Sequence, residues 1–450
     1  LDVPTFECWR GPLVAPLFIL YRNLIPIVMK EEFIHFLWRT RRFDQRELRT
    51  THGHALEIIH PGEHNVHAGP DFFNARLRID GMEWAGNVEM HLASSDWYVH
   101  QHEQDPAYAG VILHVVWVED SMVLQPDGRP IPCLELCKRV SMVLLEEYER
   151  LMLEEDWLPC GRSFQEVPGV VRLGWLDRLL VERLEQKTVQ IERLLEYSRD
   201  SWEDTFYYLL ARSFGLKINL DPFEQLARSL SLSIVQRHRE HPFQIEALYF
   251  GQAGFLEREY RDDYPNQLAK EYQYLRHKYQ LVPMEVSQWK FLRLRPANFP
   301  TIRIAQFAAL MQRTVHLFSK ILECRQVAEL EALLTLETAP YWETHYRFDV
   351  PSVDRKKAIG RAFLVQVFIN TVVPVVFFYG KRRQEVELQN RALAWLEELG
   401  PESNQLIEEW VAYGVKPQNA HDSQALLQLR QQYCLERRCL DCAVGHYLLR

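Results

Sequence analysis

Asp71, Glu89 and His91 are the residues whose types and spacing point most directly to chemistry. Asp71 follows Pro70 at the head of an alternating stretch, FFNARLRI, and Glu89 and His91 lie two apart in a second one, WAGNVEMHL. Asp80-Gly81 between the two stretches is a hairpin turn signal. A hairpin closed there brings Asp71 level with residues 90–92, and directly opposed residues stand about 4.5–5.5 Å apart between Cβ atoms, close enough to share an ion. Residues two apart on a strand project from one face, so Glu89 and His91 point the same way. Simple alternation leaves Asp71 out of phase with them, and a bend or bulge near Gly69-Pro70 is required to turn it in. Two carboxylates so placed suit Mg²⁺ or Mn²⁺, which keep waters and a substrate phosphate in their remaining positions. The reaction that uses such an ion is hydrolysis of a phosphodiester, with a neighbouring imidazole orienting the water or taking its proton.

Further ligand-bearing residues surround this motif. Ten of the 17 histidines fall within residues 1–140. His100, His102, Asp105 and His114 add donors suited to zinc or another transition metal; alternatively they contact phosphate, or simply pack and hydrogen-bond a loop. Glu57 and Glu32 are additional acids. At the other end of the chain, Cys434-x4-Cys439-x2-Cys442 can wrap one soft metal, zinc or an iron–sulfur cluster. The fourth ligand is then His446 or a distant cysteine, of which Cys160 in LPCGRS is the best candidate. Unligated cysteines packed in a terminal helix are the alternative. Basic spots at 39–42, 289–295, 355–357 and 381–383 offer contacts to phosphates, or are solvated faces. Phe223–Arg239 reads as two amphipathic helices with a hint of helix-turn-helix.

The elements that must position the hairpin come next. KEEFIHFLWRTRRF (30–43) has helical apolar spacing. ALEIIH (55–60) reads as a strand, and HPGEHNVHAGP as a loop. The hairpin is followed by a short helix or loop over 95–108, then by VILHVVWV (111–118), a strand with the composition of one buried on both faces. A further hairpin is predicted around Pro126-Asp127-Gly128. From about residue 140 the periodicity becomes helical and strand signals nearly vanish. The expected domains are an N-terminal extension (1–28), an α/β domain (29–140) and a large all-α domain (141–450).

Bulk composition bounds the rest. A chain of 450 residues suggests two or three domains. A formal charge of −9 argues against a broadly basic surface, so any nucleic-acid contact must be local. Eight cysteines do not make a disulfide framework, which favours a reducing, cytoplasmic setting. Residues 362–380 are apolar enough to resemble a membrane span, but Gln366, Asn370, Thr371 and Pro374 favour a buried helix kinked at Pro374, with no membrane partner.

Pro70-Asp71 followed by Glu89-Met90-His91 on the next strand resembles the PD-(D/E)XK nuclease superfamily, with His91 where that pattern carries Lys. The helix–strand–strand–strand–helix–strand order over residues 30–118 looks like the same fold. The resemblance implies a restriction-endonuclease-like N-terminal domain, metal binding by Asp71 and Glu89, and a water-orienting role for His91. The His departure takes a permanent positive charge away from the phosphate. IIHPGEHNVHAGPDFFNAR, GNVEMHLASSDWYVHQHEQDPAY and RPANFPTIRIAQ also resemble an uncharacterised bacterial domain-of-unknown-function family, over residues 29–450. The expected function is therefore a metal-dependent nuclease acting on DNA or RNA. A catalytically silent module binding nucleic acid or protein is one alternative; a histidine-rich transition-metal enzyme acting on a small molecule is the other.

Overall fold

The structure, a computed structural model, describes residues 29–450 apart from Pro126. The expected extension 1–28 and the first residue of the expected Pro126-Asp127-Gly128 turn lie outside the described residues. The chain divides into two compact units, one formed by residues up to Trp175 together with Arg430–Arg450, the other by Leu176–Leu429. The expected boundary after residue 140 thus differs from this division. The first unit includes a helix at Met142–Leu153 and takes back the C-terminal residues, because Tyr148, Leu151, Cys439, Leu440 and Leu449 share its apolar core.

The first unit opens with helix α1 (Glu31–Thr40), followed by strands β1 (Leu56–His60), β2 (Glu63–His64), β3 (Phe72–Ile79) and β4 (Met82–Ala93). A short helix α2 (Asp96–Val99) and two 3₁₀ turns lead to β5 (Val111–Val118), and β6 (Cys133–Glu135) completes the sheet. The strand order is β1-β3-β4-β5-β6, with β2 also pairing with β3. β1, β3 and β4 are antiparallel neighbours, whereas β5 and β6 run parallel to the strands before them. Asp80 and Gly81 both take positive φ (46° and 83°), as a two-residue hairpin turn requires. The predicted turn near Gly128 forms, with the Gln125 N–H donating to the Arg129 carbonyl and the Gly128 N–H donating to the Gln125 carbonyl, each at 2.8 Å. The chain returns antiparallel at a bridge between Leu124 and Pro130, and β6 beyond it joins the sheet parallel to β5.

The bulge falls elsewhere than expected. Pairing runs from Phe72↔Val88 to Ala75↔Gly86, so β3 carries one extra residue there, and Asn74 absorbs it with φ 58°. The phase change puts Phe72 in the core along with Ala75, Leu77 and Ile79, and leaves Phe73 only half-buried. Gly62 makes room for this kink: a Cβ there would stand 2.7 Å from the Phe73 carbonyl oxygen.

One face of the sheet is packed by α1 through Phe33, Ile34, Phe36, Leu37 and Trp38, all essentially inaccessible. Val88, Met90, Leu113 and Val115 meet them from the sheet. Phe33 stacks on Tyr148 of the following helix with ring centroids 4.0 Å apart. Each such large apolar side chain contributes about 1.5–3 kcal/mol through burial. The other face has a small apolar patch of Trp97, Val111, Val123 and Ile131, and beside it the residues of interest below.

The second unit is helical apart from a two-stranded ribbon, β7 (His345–Arg347) with β8 (Val350–Pro351), which the sequence reading did not anticipate. Aromatic rings dominate its core: Phe307 packs against Tyr207, Phe214, Phe223 and Tyr249. The apolar stretch forms a helix at Arg361–Arg383 that is long and apolar enough to cross a membrane, with 72% of its most apolar window buried inside the protein. Its break is a π-turn at Phe368–Val372, immediately before the helix that starts at Val373 and contains Pro374. The wider turn relieves the clash and the missing N–H that a proline imposes on the preceding turn.

Candidate metal centre

Glu89 and His91 share a face of β4, while Val88 and Met90 point to the opposite, α1-packed face. Neither faces solvent: Glu89 is 4% and His91 1% exposed. β5 lies beside them in parallel register, Glu89 opposite His114, so the His114 ring joins the same face. The turn after α2 supplies two more imidazoles. Gln101 takes a left-handed conformation (φ 60°) between His100 and His102, and both rings consequently close on His91. His102 is held by stacking on Tyr108 at 3.8 Å and by the edge of Trp97.

Asp71 is locked to Glu89 through a reciprocal pair of hydrogen bonds. The Asp71 backbone N–H donates to Glu89 Oε2 (3.1 Å), and the Met90 N–H donates to Asp71 Oδ2 (2.9 Å). The loop before Asp71 is organised by Asn65, whose side-chain amide donates to the carbonyls of His67, Ala68 and Pro70. From α1, His35 Nε2 reaches within 3.3 Å of Asp71 Oδ2. Glu31, one helical turn before His35, feels the charges of His100 and Asp71.

Four donor atoms converge. His91 Nε2 is 3.0 Å from His100 Nδ1 and 3.7 Å from Glu89 Oε1, and His102 Nε2 is 3.3 Å from the same oxygen. Among the described residues, His91, His100 and His102 present ligand atoms that all lie within 4.8 Å of one another. Ligands about 2.1 Å from one ion, at octahedral or tetrahedral angles, stand about 3.0–3.4 Å apart. The observed spacings bracket that range. On its other side, His91 Nδ1 meets His114 Nε2 at 2.8 Å, the contact from behind that fixes the orientation of a metal-binding imidazole.

The electrostatics suit a divalent cation. Burial, then the neighbouring imidazoles, hold His91 down to about 2 and His114 to about 3, so both rings are neutral and His91 keeps a lone pair for a metal. Burial, then the adjacent Asp71 carboxylate, pushes Glu89 up to about 9. Glu31 is raised as well, chiefly by burial. Three carboxylates packed together with neutral imidazoles form an arrangement that a divalent ion would stabilise.

A family model described as a protein of unknown function, DUF2851, matches residues 31–405. The chain belongs to this family. No curated protein and no solved structure matches it.

In this DUF2851 chain, then, Asp71, Glu89, His91, His100, His102 and His114 are brought to one place. Three other candidates are not. Glu57 is exposed on β1 and pairs with Arg78. Asp105 accepts the Ala107 N–H at the start of a 3₁₀ turn. Glu32 is exposed, and it is its neighbour Glu31 that turns inward. Glu31 and His35 were missed by the sequence reading, although their i, i+4 spacing on one helix face was a usable signal. The basic spots are divided between the two units and many are already engaged. Arg41 donates to Ile59 O, Lys381 pairs with Glu185, Arg382 with Asp200, and the Lys357 ammonium donates to the Glu343 and Arg355 carbonyls.

Proposed function

We propose that the protein is a metal-dependent phosphodiesterase acting on nucleic acid, with its ion held by Glu89, His91, His100 and His102. The observation that carries this reading is the convergence of those four donor atoms beside Asp71. Three imidazoles and a carboxylate favour Mn²⁺ or another transition ion over Mg²⁺, which prefers an all-oxygen shell. The ion polarises the phosphoryl oxygen and lowers the pKa of a bound water. Asp71, tied to Glu89 and half-exposed, is placed to hold a second ligand position or a water. Glu31, its proton affinity raised by burial, is suited to take the proton from that water. His91, with both nitrogens engaged, serves better as a ligand than as a water-orienting base.

The order α1, three antiparallel strands, α2 and a parallel β5, with Asp71 immediately before β3 and Glu89 on the adjacent β4, supports a PD-(D/E)XK-like reading of the first unit. A permanent cation in place of His91 is not needed if the metal itself carries the charge. The test is cleavage of labelled single- and double-stranded DNA and RNA by the full chain with Mn²⁺ or Mg²⁺, wild type beside Glu89→Gln and Asp71→Ala. Loss of roughly 100-fold or more in the variants is the expected result; cleavage that ignores both substitutions, or no cleavage of any substrate, refutes the assignment.

The three-histidine ligand set also favours a second reading, a transition-metal enzyme acting on a small molecule. Tight retention of zinc, iron or manganese through purification, without nuclease activity, would select it.

A further inference from the structure

Two motifs of the sequence lie outside the candidate centre. Among the described residues the cysteines Cys160, Cys434, Cys439 and Cys442 are free thiols, and the group at metal-ligand spacing is the histidine one. The other motif, the run of bases and aromatics over residues 289–299, forms a loop of the second unit with a single 3₁₀ turn at Pro296–Asn298. That loop is fastened along its length. Trp289 is buried, its indole N–H donates to the Ala253 carbonyl (2.8 Å), and its ring meets Phe223 edge-on. Buried Asn219 clamps the next residue from both sides: its side-chain N–H donates to the Lys290 carbonyl and its oxygen accepts the Lys290 N–H, each at 2.9 Å. At the far end Arg303 Nη2 donates to Asn298 Oδ1 (2.6 Å). The rings of Phe291 and Phe299 meet with centroids 5.2 Å apart and draw the two ends together. Between them Arg293 takes a left-handed conformation (φ 63°), which a non-glycine residue keeps only where its surroundings hold it. A loop fixed in this way loses little freedom when a partner arrives.

What the loop presents is positive charge left unpaired. Lys290, Arg293 and Arg295 are exposed on it, and so is Arg347 at the end of β7. The Arg347 guanidinium lies over the Phe299 ring at 5.6 Å and the Phe291 ring at 6.0 Å, and both rings are half-buried. Among the described residues, none of these four cations makes an ion pair or a side-chain hydrogen bond. Elsewhere in the same unit Lys356, Lys381 and Arg382 pair with Glu337, Glu185 and Asp200. The sequence around the loop is cleared of acid as well. Residues 286–322 contain no Asp or Glu, in a chain that has 61 of them and a formal charge of −9. Unpaired cations on an acid-free loop of an acidic protein are complementary to a polyanion. An anionic membrane fits less well, because Leu292 is the one large apolar side chain strongly exposed between residues 289 and 299, too little for an inserting face.

We propose that this loop and Arg347 form a binding surface for single-stranded nucleic acid. Lys290, Arg293 and Arg295 contact its phosphates, and the Arg347 guanidinium plane, backed by Phe291 and Phe299, gives an unpaired base a surface to stack on. Phosphate contacts and stacking carry no base code, so the surface takes strands of any sequence. The choice of partner rests on the reading that the protein acts on nucleic acid. Binding at the loop requires neither the metal nor the side chains proposed to hold it.

The test is fluorescence anisotropy of a labelled oligothymidylate with the full chain, in chelator so that nothing is cut, over a series of salt concentrations. Wild-type affinity should fall linearly with salt on logarithmic axes, three phosphate contacts supplying a slope of about 2. Lys290→Ala/Arg293→Ala/Arg295→Ala should lose that part of the slope and roughly tenfold or more in affinity. Arg347→Lys keeps the charge and removes the plane; it should weaken the oligothymidylate about tenfold and leave an abasic strand of the same length unchanged. Lys381→Ala/Arg382→Ala, whose cations are already paired, should change affinity by less than about twofold. Wild-type binding that ignores salt overturns the proposal without any variant. So does a triple variant that binds like wild type, a duplex held as tightly as the single strand, or binding to phosphatidylserine vesicles in place of the oligonucleotide. The two readings fail separately. Strand binding that depends on the loop, with no cleavage in Mn²⁺ or Mg²⁺, defeats the hydrolase assignment alone; cleavage by a triple variant that binds and cuts like wild type defeats this surface alone.

Discussion

The two units bury charge in opposite ways. In the second unit, Glu246 is 7% exposed, yet each carboxylate oxygen is satisfied by a neutral donor from the same unit, the Trp342 indole and the Tyr264 hydroxyl at 2.8 Å. Arg303 is provided for in large part, its Nε alone being without an acceptor. Its guanidinium lies 3.7 Å over the Phe363 ring and donates to Gln306 and Asn298. In the first unit, Glu89, Asp71 and Glu31 are set against one another, and His91 against His100, His102 and His114. Pairing of a buried charge with neutral donors, acceptors or a ring is what folding alone selects; groups of like kind stacked together persist only where something else balances them. The contrast separates a structural burial from one built for a ligand.

The comparison is sharpest at Glu89. Glu89→Gln keeps the shape and removes the need to protonate a buried acid on folding at neutral pH. Without metal it should leave the first unit as stable as wild type or more so, since the proton uptake that burial and Asp71 impose on Glu89 is no longer needed. With Mn²⁺ at 100 times its dissociation constant, wild type should gain about 2.7 kcal/mol and the variant almost nothing. Thermal unfolding with and without Mn²⁺ measures both effects. A variant destabilised by several kcal/mol without metal, and still stabilised by Mn²⁺, would show that Glu89 is a structural acid like Glu246.

Much of this was legible along the chain, and the reason is periodicity. FFNARLRI and the stretch ending in EMHL alternate cleanly, and Asp80-Gly81 marks their turn, so strands, hairpin and the shared face of Glu89 and His91 follow from local rules. The helical character beyond residue 140 is equally local. What was not legible depends on single backbone conformations or on tertiary contact. The bulge sits at Asn74, not near Gly69-Pro70, because asparagine tolerates positive φ and nothing nearby announces it. The convergence of His100 and His102 hinges on a left-handed Gln101, a residue with no such preference. Glu31 and His35 lay hidden on a helix whose apolar stripe read simply as core. Their meeting with Asp71 is made by the packing of α1 on the sheet.

Glu246 supplies the contrasting pH behaviour. Burial raises it from the ordinary 4.5 to about 7. Between those values the unfolded chain has lost this proton and the folded chain keeps it, so stability is fully present below about 4.5 and falls as pH rises through about 7. The loss is on the order of 3 kcal/mol. Glu246→Gln should flatten that part of the profile without touching metal binding. Urea midpoints at the two ends of the window check this, and a profile unchanged by the substitution would mean Glu246 is already ionised in the folded protein.

The smallest effects mark the edge of the candidate centre. Asp105 accepts the Ala107 N–H at 2.9 Å, and Glu57 pairs with Arg78 on the surface. Asp105→Ala should cost about 1 kcal/mol as a lost cap. Glu57→Ala should cost less than about 1 kcal/mol, as an exposed ion pair. Neither should change the Mn²⁺ affinity measured by calorimetry, because neither carboxylate contacts the imidazoles. A tenfold weakening in Asp105→Ala would show instead that the turn holding His102 is stiffened from its far end. The centre would then extend along that loop to Asp105, with the cap acting through the stacking of Tyr108 on His102.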